Sequence, residues 1–134
     1  MKYEFLDHTA DIKIKSYGKT QEMAFENMTL AISEYLSKGE KIKAKVGKKV
    51  EVHGTDLENL LYNFLDELIY LLDAEQFIVA KAEVSLLGNN IKATLYGDST
   101  KNYKDLDHIK APTYAEMHVK KTQSGWEFQV VVDV

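Results

Sequence analysis

The sequence predicts an α+β fold, with two helices packed on a mainly antiparallel β-sheet. Two segments repeat apolar residues at helical spacing, and six others alternate apolar and polar residues, which is the period of a half-buried strand. Their order is β-α-β-α-β-β-β-β, and strands joined by short turns pair antiparallel. We expect a single domain over residues 1–134, because this length suits one hydrophobic core and no low-complexity linker divides it.

The first predicted helix covers Gln21–Ser37, where apolar residues recur at helical spacing. The hydroxyl of Thr20 can cap its first turn, and Gly39 is suited to end it. The alternating segments at residues 12–15 and 49–53 predict a strand on either side of this helix.

The second predicted helix has a wide apolar stripe over residues 57–72, which indicates burial against a sheet. Thr55 and Glu58 form a capping-box pattern at its start. Gly54 precedes this helix much as Gly18 precedes the first. This similarity hints at an internal duplication, although two similar helix starts are also expected by chance.

The second half of the chain consists of predicted strands. Residues 88–90 have the composition of a hairpin turn, and residues 124–125 form a second turn. Between them, residues 98–109 are a polar loop. The predicted strands are residues 80–86, 91–95, 113–121 and 126–134.

Composition narrows the class of protein. Cysteine is absent, which excludes disulfides, thiolate metal sites and cysteine nucleophiles. The first residues lack the apolar core of a signal peptide, and no apolar run reaches membrane-spanning length, so we expect a cytoplasmic protein. The net charge is −4, and the lysines within residues 38–49 are most simply a solvated loop and strand edge. A protein partner is therefore favoured over direct binding of RNA.

The first candidate site lies near the N-terminus. Asp7 and Asp11 are four residues apart and flank His8 and Thr9. Carboxylate and hydroxyl oxygens suit hard cations such as Ca²⁺ or Mg²⁺. A simple turn, in which Asp7 and Thr9 bond to their own backbone, explains the same residues, and spacing alone favours that interpretation.

The second candidate site is the C-terminus. Asp133 is followed by Val134, whose α-carboxylate lies beside the Asp133 side chain. Two anionic groups this close repel each other unless a positive charge neutralises them. The alternative interpretation is a solvent-facing acid near the end of the last strand.

The third candidate consists of Asp105, Asp107 and His108, which either form a metal or acid–base cluster or belong to an exposed polar loop. His53 and His118 fall within predicted strands and are most simply structural. The sequence has no glycine-rich phosphate loop, no zinc-protease motif and no serine-hydrolase motif, and all its basic residues are lysines. We therefore do not expect this chain to carry out phosphoryl transfer alone.

Five segments follow one another in a distinctive order. They are Phe-Leu-Asp-His-Thr-Ala-Asp-Ile at residues 5–12, Ala-Phe-Glu-Asn at 24–27, Asp-Leu-Glu-Asn-Leu-Leu at 56–61, Lys-Ala-Pro-Thr-Tyr at 110–114 and Val-Val-Asp-Val at 131–134. In this order, and over essentially the whole chain, they resemble the archease family.

The resemblance implies a non-catalytic protein cofactor that activates an RtcB-type RNA ligase in tRNA splicing. Such a protein would promote guanylylation and multiple turnover of the ligase through a bound divalent cation. By motif position, the ligands would be Asp11, Asp133 and Val134, the last through main-chain or terminal oxygens. The ion implied is Ca²⁺, with Mg²⁺ or Mn²⁺ as alternatives. tRNA would be engaged only indirectly, through the ligase, and no membrane would be involved.

Two residues depart from the family pattern. Pro112 stands where a β-branched residue is expected, so it should lie at a strand start or on an edge strand. Ala115 stands where many relatives carry histidine. Two other functions remain open. One is a chaperone or modulator of another RNA-processing enzyme, such as a tRNA methyltransferase, which needs no metal. The other is a small metal-dependent hydrolase, although no general base or phosphate clamp is evident.

Overall fold

Seven strands and two α-helices form the described part of the chain, residues 1–7 and 11–134 of a computed structural model. The α+β class is confirmed, as is the predicted element order from β2 onward. A 3₁₀ turn at Thr100–Asn102 lies between β5 and β6. The elements are β1 Tyr3–Leu6, β2 Ile12–Gly18, α1 Gln21–Ser37, β3 Val46–His53, α2 Leu57–Glu75, β4 Phe77–Leu87, β5 Asn90–Ser99, β6 Ala111–Thr122 and β7 Gly125–Asp133.

The described strands are divided between two antiparallel sheets, where the sequence predicts one. The larger sheet has the order β1-β2-β7-β6, and the smaller has the order β3-β5-β4. Strand β1 was not predicted, because its four residues are too few to show a clear alternation. The division into two sheets depends on which distant strands pair, and local periodicity carries no information about that choice.

Both ends of α1 match the sequence prediction. The Thr20 hydroxyl accepts a hydrogen bond from the Met23 amide at 3.1 Å, so it caps the first turn. At the other end, Lys38 takes a left-handed conformation with φ of 56°. Gly39 follows with φ of 86°, and its amide donates to the Glu34 carbonyl at 3.0 Å. These bonds satisfy carbonyls that would otherwise lack a partner.

The predicted cap of α2 is wrong by one residue. Asp56, and not Thr55, is the N-cap, since its carboxylate accepts from the Asn59 amide at 2.8 Å. The Asn59 side chain in turn accepts from the Thr55 amide at 3.0 Å. Asp56 and Asn59 therefore take the places predicted for Thr55 and Glu58. The helix also runs to Glu75, beyond the predicted end of its apolar stripe.

The core lies between the helices and the two sheets. Phe25 on α1 packs edge-on against Phe64 on α2 and Phe128 on β7, with ring centroids 5.4 and 4.9 Å apart. All three side chains are fully buried. They therefore tie both helices to β7, the strand that ends at the candidate site. Neither helix is long and apolar enough to cross a membrane.

The two strand–helix units have the same local construction. A Cβ atom added at Gly18 would lie 2.4 Å from the Ala24 nitrogen, and one at Gly54 would lie 2.6 Å from the Leu60 nitrogen. Only glycine lets each helix pack this closely on its preceding strand. In both units a helix asparagine donates to the carbonyl just before that glycine: Asn27 to Tyr17 at 2.6 Å and Asn63 to His53 at 2.8 Å. The shared geometry supports the internal duplication hinted at by the sequence.

Pro112 lies where the sequence predicted. It is the second residue of β6, which is the outer strand of the four-stranded sheet, and it pairs in register with Val132. An outer strand has one edge without a neighbour in its sheet, so a missing amide donor is tolerated there. Ala115 lies further along the same strand and is exposed.

Candidate cation site at the ends of β2 and β7

The proposed cation ligands lie at one end of the larger sheet, where β2 begins and β7 finishes. The last paired residues of these antiparallel strands are Ile12 and Val132. Continuing the register by one residue places Asp11 opposite Asp133. Opposed residues in antiparallel strands have Cα atoms about 5 Å apart and side chains on the same face. The fold thus brings both acidic positions to one place, although they lie near opposite ends of the sequence.

Strand alternation also gives both acids the same orientation. Ile14 and Ser16 point toward α1, and the Ser16 hydroxyl donates to the Ala24 carbonyl at 2.9 Å. Val132 belongs to the same core. Asp133, the last residue of β7, therefore lies on the face of the sheet that points away from α1, and continuing the alternation of β2 to the preceding residue gives Asp11 the same side. Both residues are partly exposed.

The backbone around Asp133 is held from both sides. One neighbour is β2, and the other is β6, where Ala111 pairs with Asp133. The Asp133 carbonyl accepts from the Lys110 amide at 2.8 Å. Val134 is partly buried and packs against the hydrophobic core. Oxygens on this segment are consequently positioned before any ligand arrives, which lowers the entropic cost of binding.

The first candidate cluster is only partly visible. His8 and Thr9 lie outside the described residues. Asp7 follows β1 and, together with Ile12 and Asp107, lines a cavity of about 500 Å³. By register it falls on the α1 side of the sheet, so it points away from the face that carries Asp11.

The third candidate cluster does not assemble into a metal site. Asp105 is exposed and forms an ion pair with Lys38 at 3.1 Å. The amide of Asp107 donates to the Leu36 carbonyl at 2.7 Å and ties this loop to the end of α1. His108 is exposed. Within residues 1–7 and 11–134, no three histidine, aspartate or glutamate side chains form a group that could hold a metal.

A cation placed between Asp11 and Asp133 would therefore meet only two side-chain carboxylates, and a third protein ligand would have to come from oxygens of Val134. Carboxylate and carbonyl oxygens are the donors that Ca²⁺, Mg²⁺ and Mn²⁺ prefer, and no sulfur ligand is available. The donor set thus fits the hard cation implied by the sequence resemblance.

Sequence reasoning missed a buried carboxylate at Asp98, which is only 4% exposed. Its oxygens accept from the Tyr103 hydroxyl at 2.8 Å, the Asn102 amide group at 3.0 Å and the Ser99 amide at 2.8 Å, and the Lys45 ammonium lies 3.9 Å away. Burial alone would raise the pKa of Asp98, but the hydrogen bonds, led by that of Tyr103, hold it below its ordinary value. Because these donors satisfy the Asp98 carboxylate, it connects the end of β5 to the turn that carries Asn102 and Tyr103, and it is not a ligand site.

A second missed carboxylate is Glu127, on the same face as Asp133. It lies within 3.7 Å of Lys15, 2.8 Å of His118 and 3.4 Å of Lys120. Burial would raise the pKa of Glu127, but the hydrogen bond from His118 and the two lysines lower it overall. Two lysines and the hydrogen bond from His118 already satisfy this carboxylate, so it does not need a metal ion.

The fold and the acidic strand ends define a small α+β protein with a candidate oxygen-ligand cation site where its first and last long strands meet. Residues 3–134 match the model of the archease protein family (MTH1598/TM1083). The chain belongs to the archease family, and the resemblance found in its sequence is confirmed.

Individual relatives match over nearly the full chain. The protein archease of Methanosarcina barkeri is 37% identical over 139 residues, which cover 98% of this chain and 95% of the relative. That of Pyrococcus abyssi is 36% identical over 140 residues, covering 99% of each.

Two solved structures share the fold. The solution structure of Methanobacterium thermoautotrophicum protein 1598 has a TM-score of 0.79 and 27% identity, covering 98% of each chain. A crystal structure of an archease from Thermotoga maritima, described as a possible chaperone, has a TM-score of 0.61 and 20% identity, covering 96% of this chain and 94% of that one.

Proposed function

We propose that this protein activates an RtcB-type tRNA-splicing RNA ligase, and that it does so with a divalent cation held by Asp11, Asp133 and Val134. The supporting observation is the β2–β7 register, whose last pair, Ile12 with Val132, directly adjoins both acids in the chain. In the activated complex, the protein would promote guanylylation and repeated turnover of the ligase while carrying out no catalysis itself.

The donor set favours a cation that is shared with the partner. Ca²⁺ takes about six to eight oxygen ligands, whereas three residues supply only part of that shell. The remaining positions are then open to water or to oxygens of the ligase and its nucleotide. A divalent cation at such a site neutralises phosphate charge and orients phosphate oxygens. The chain's own role is to fix two carboxylates on rigid strands.

Single-turnover guanylylation of the purified ligase tests this function. The ligase is assayed with and without the protein over a range of Ca²⁺, Mg²⁺ and Mn²⁺ concentrations. Asp11→Asn and Asp133→Asn preserve side-chain shape and remove charge, so each should abolish most of the stimulation. Asp105→Asn is the matched control, because it removes an exposed carboxylate that is paired with Lys38 and is not one of the proposed ligands.

The results of these assays distinguish ligase activation from the two other candidate functions, a metal-independent chaperone and a hydrolase. Full stimulation by both Asn variants would reject the cation role. If the protein instead captures a tRNA methyltransferase in the presence of a chelator and leaves the ligase unaffected, it is a metal-independent chaperone or modulator. Metal-dependent hydrolysis of RNA by the protein alone, lost in Asp11→Asn, would show that it is an enzyme.

A further inference from the structure

The outward face of α2 is unusually acidic for a helix of its length. Leu57–Glu75 contains no lysine, arginine or histidine. Its last turn carries acids where a helix normally favours bases. Among the acids of α2, Glu75 alone forms an ion pair within residues 1–7 and 11–134, and its partner is Lys48. The acids of this helix are Glu58, Asp66, Glu67, Asp73 and Glu75.

Tyrosines lie on the same face. Tyr70 is 55% exposed, and Tyr114 of the neighbouring β6 is 53% exposed. The Tyr114 ring is stacked on Tyr62 with centroids 4.5 Å apart and planes within 7° of parallel. Large aromatic side chains that remain exposed are typical anchors of protein interfaces.

Tyr114 is exposed but firmly held. Its hydroxyl accepts a hydrogen bond from the Asn59 side-chain amide at 2.8 Å. Asn59 is itself fixed, because its amide oxygen accepts from the Thr55 backbone at 3.0 Å and from Asn63 at 3.2 Å. A ring that is already immobilised loses little conformational entropy when a partner covers it.

An irregular stretch of β6 brings Tyr114 to this position. The pairing of β6 with β7 is interrupted between Thr113 and His118. Within the interruption, Glu116 has a φ of 52°, a left-handed conformation that non-glycine residues rarely adopt. Its carbonyl accepts from the buried Gln129 side chain at 2.6 Å. Such outliers recur at functional surfaces, and Tyr114 lies in the same interruption, where its side chain contacts Tyr62 and Asn59 of α2.

A groove on the other flank of the face shares its charge. The groove has a volume of about 440 Å³, lies between β3 and α2, and is lined by Glu51, Asp66, Glu67 and Tyr70 among others. Glu51 has one exposed lysine, Lys92, at 3.8 Å. Burial raises the pKa of Glu67, and the nearby carboxylates of Glu75 and Asp66 raise it further. Three carboxylates thus line the groove beside His53, and α2 itself contributes no basic side chain to it.

We propose that this face, formed by the outer side of α2 together with Tyr114, docks on a surface of the partner ligase that presents lysine and arginine side chains. The groove is suited to a basic side chain, and the stacked tyrosines are suited to the apolar stem or guanidinium plane beside it. A nucleic acid is disfavoured, since its phosphates would meet only carboxylates on α2. The inference rests on the proposed function for the identity of the partner, but uses residues distinct from the cation ligands.

Binding to the purified ligase, measured at about 50 mM and about 300 mM salt, tests the surface. Asp66→Lys combined with Asp73→Lys should weaken binding about tenfold or more at low salt and less at high salt. Tyr114→Ala should weaken it about tenfold at both salt concentrations. Tyr114→Phe, which keeps the stacked ring and loses only the Asn59 bond, should lie between Tyr114→Ala and the wild type.

The control variant combines Glu40→Lys with Glu83→Lys, which makes the same charge change at exposed positions on other elements. It should bind as the wild type does, and circular dichroism and thermal unfolding establish that every variant is folded. Asp11→Asn should lose stimulation, and the Asp66→Lys and Asp73→Lys changes should weaken binding in that background as they do in the wild type, which separates docking from activation.

Wild-type affinity in both the Asp66/Asp73 variant and Tyr114→Ala would overturn the docking surface and leave the proposed function standing. If the wild-type chain neither binds nor stimulates the ligase, both proposals fall. A third outcome is that the wild type binds the ligase without stimulating it, while the Asp66/Asp73 variant and Tyr114→Ala lose binding. That result would uphold docking and reject activation. Binding of single-stranded RNA by the isolated chain, lost in Tyr114→Ala, would overturn the choice of a protein partner.

Discussion

Cation binding at the joined strand ends predicts a thermal stabilisation that depends on Asp133. Ca²⁺ should raise the Tm of the wild-type protein, and Asp133→Asn should remove much of that increase. Asparagine has nearly the same shape as aspartate and retains one oxygen, so the change isolates the charge. In chelator, the variant should unfold within a few degrees of the wild type, because Asp133 is partly exposed and is not part of the hydrophobic core.

The size of the effect follows from the number of ligands. Two carboxylates and the oxygens of Val134 form a sparse site, for which a Kd on the order of 10⁻⁴ M is expected. At about 10 mM Ca²⁺, roughly 100 times that Kd, binding stabilises the folded state by about 2.7 kcal/mol. For a domain of this size the Tm then rises by roughly 8–10 °C. A tenfold weaker site gains only about 1.4 kcal/mol, and about half the shift.

Differential scanning fluorimetry with a Ca²⁺ titration measures both shifts. Asp11→Asn should behave as Asp133→Asn does, whereas Asp105→Asn should show the wild-type increase. The reasoning is refuted if the wild type shows no shift at about 10 mM Ca²⁺, or if the Asn variants at the site shift as much as the wild type does. Repeating the titration with Mg²⁺ and Mn²⁺ ranks the ions.

Three further predictions concern the scaffold. Gly54→Ala places a Cβ 2.6 Å from the Leu60 backbone nitrogen, and overpacking of this kind should lower the free energy of unfolding by about 2–3 kcal/mol in urea titrations. Gly88→Ala meets open space but has a φ of 61°, so it should cost only about 1 kcal/mol in the same assay. Asp98 has a folded-state pKa below its ordinary value, so its contribution is present above that ordinary value and is lost as pH falls through the folded pKa. Tyr103→Phe removes a donor to Asp98, and the fall in Tm between about pH 5 and pH 2 should therefore be shallower than in the wild type.

Local periodicity was sufficient to locate the helices and most strands. The apolar repeats of α1 and α2 are long, so chance patterns do not imitate them, and the Thr20 cap has a clear chemical signature. The cap of α2 was misplaced because Thr55 and Asp56 are both good capping residues. In the structure, the Asp56 carboxylate accepts the hydrogen bond from the Asn59 amide, so Asp56 is the cap.

The candidate site was only partly predictable. Asp11 and Asp133 were named as ligands through the family resemblance, because spacing alone favoured an ordinary turn around Asp11 and left a solvent-facing acid open as an alternative for Asp133. Asp98 was overlooked since its donors, Tyr103 and Asn102, look like an ordinary polar loop in sequence. The stacking of Tyr114 on Tyr62 depends on an interruption in β6 that no alternation pattern reveals. Each of these features arises from contacts between distant segments.

The topology gives the cation site a specific thermodynamic role. Asp11 lies before β2 and Asp133 ends β7, yet these strands are direct neighbours, so the two acids meet only when the long chain between them folds back to pair β2 with β7. A cation between them therefore binds the native state and has little affinity for the unfolded chain. The cation opposes opening of the site, which occurs either by global unfolding or by fraying of the β2–β7 end alone. Hydrogen exchange distinguishes these cases. If Ca²⁺ slows exchange at the Ile12 and Val132 amides only, the bound ion stabilises the strand ends locally. Uniform slowing across α1 and α2 would show that it stabilises the whole fold.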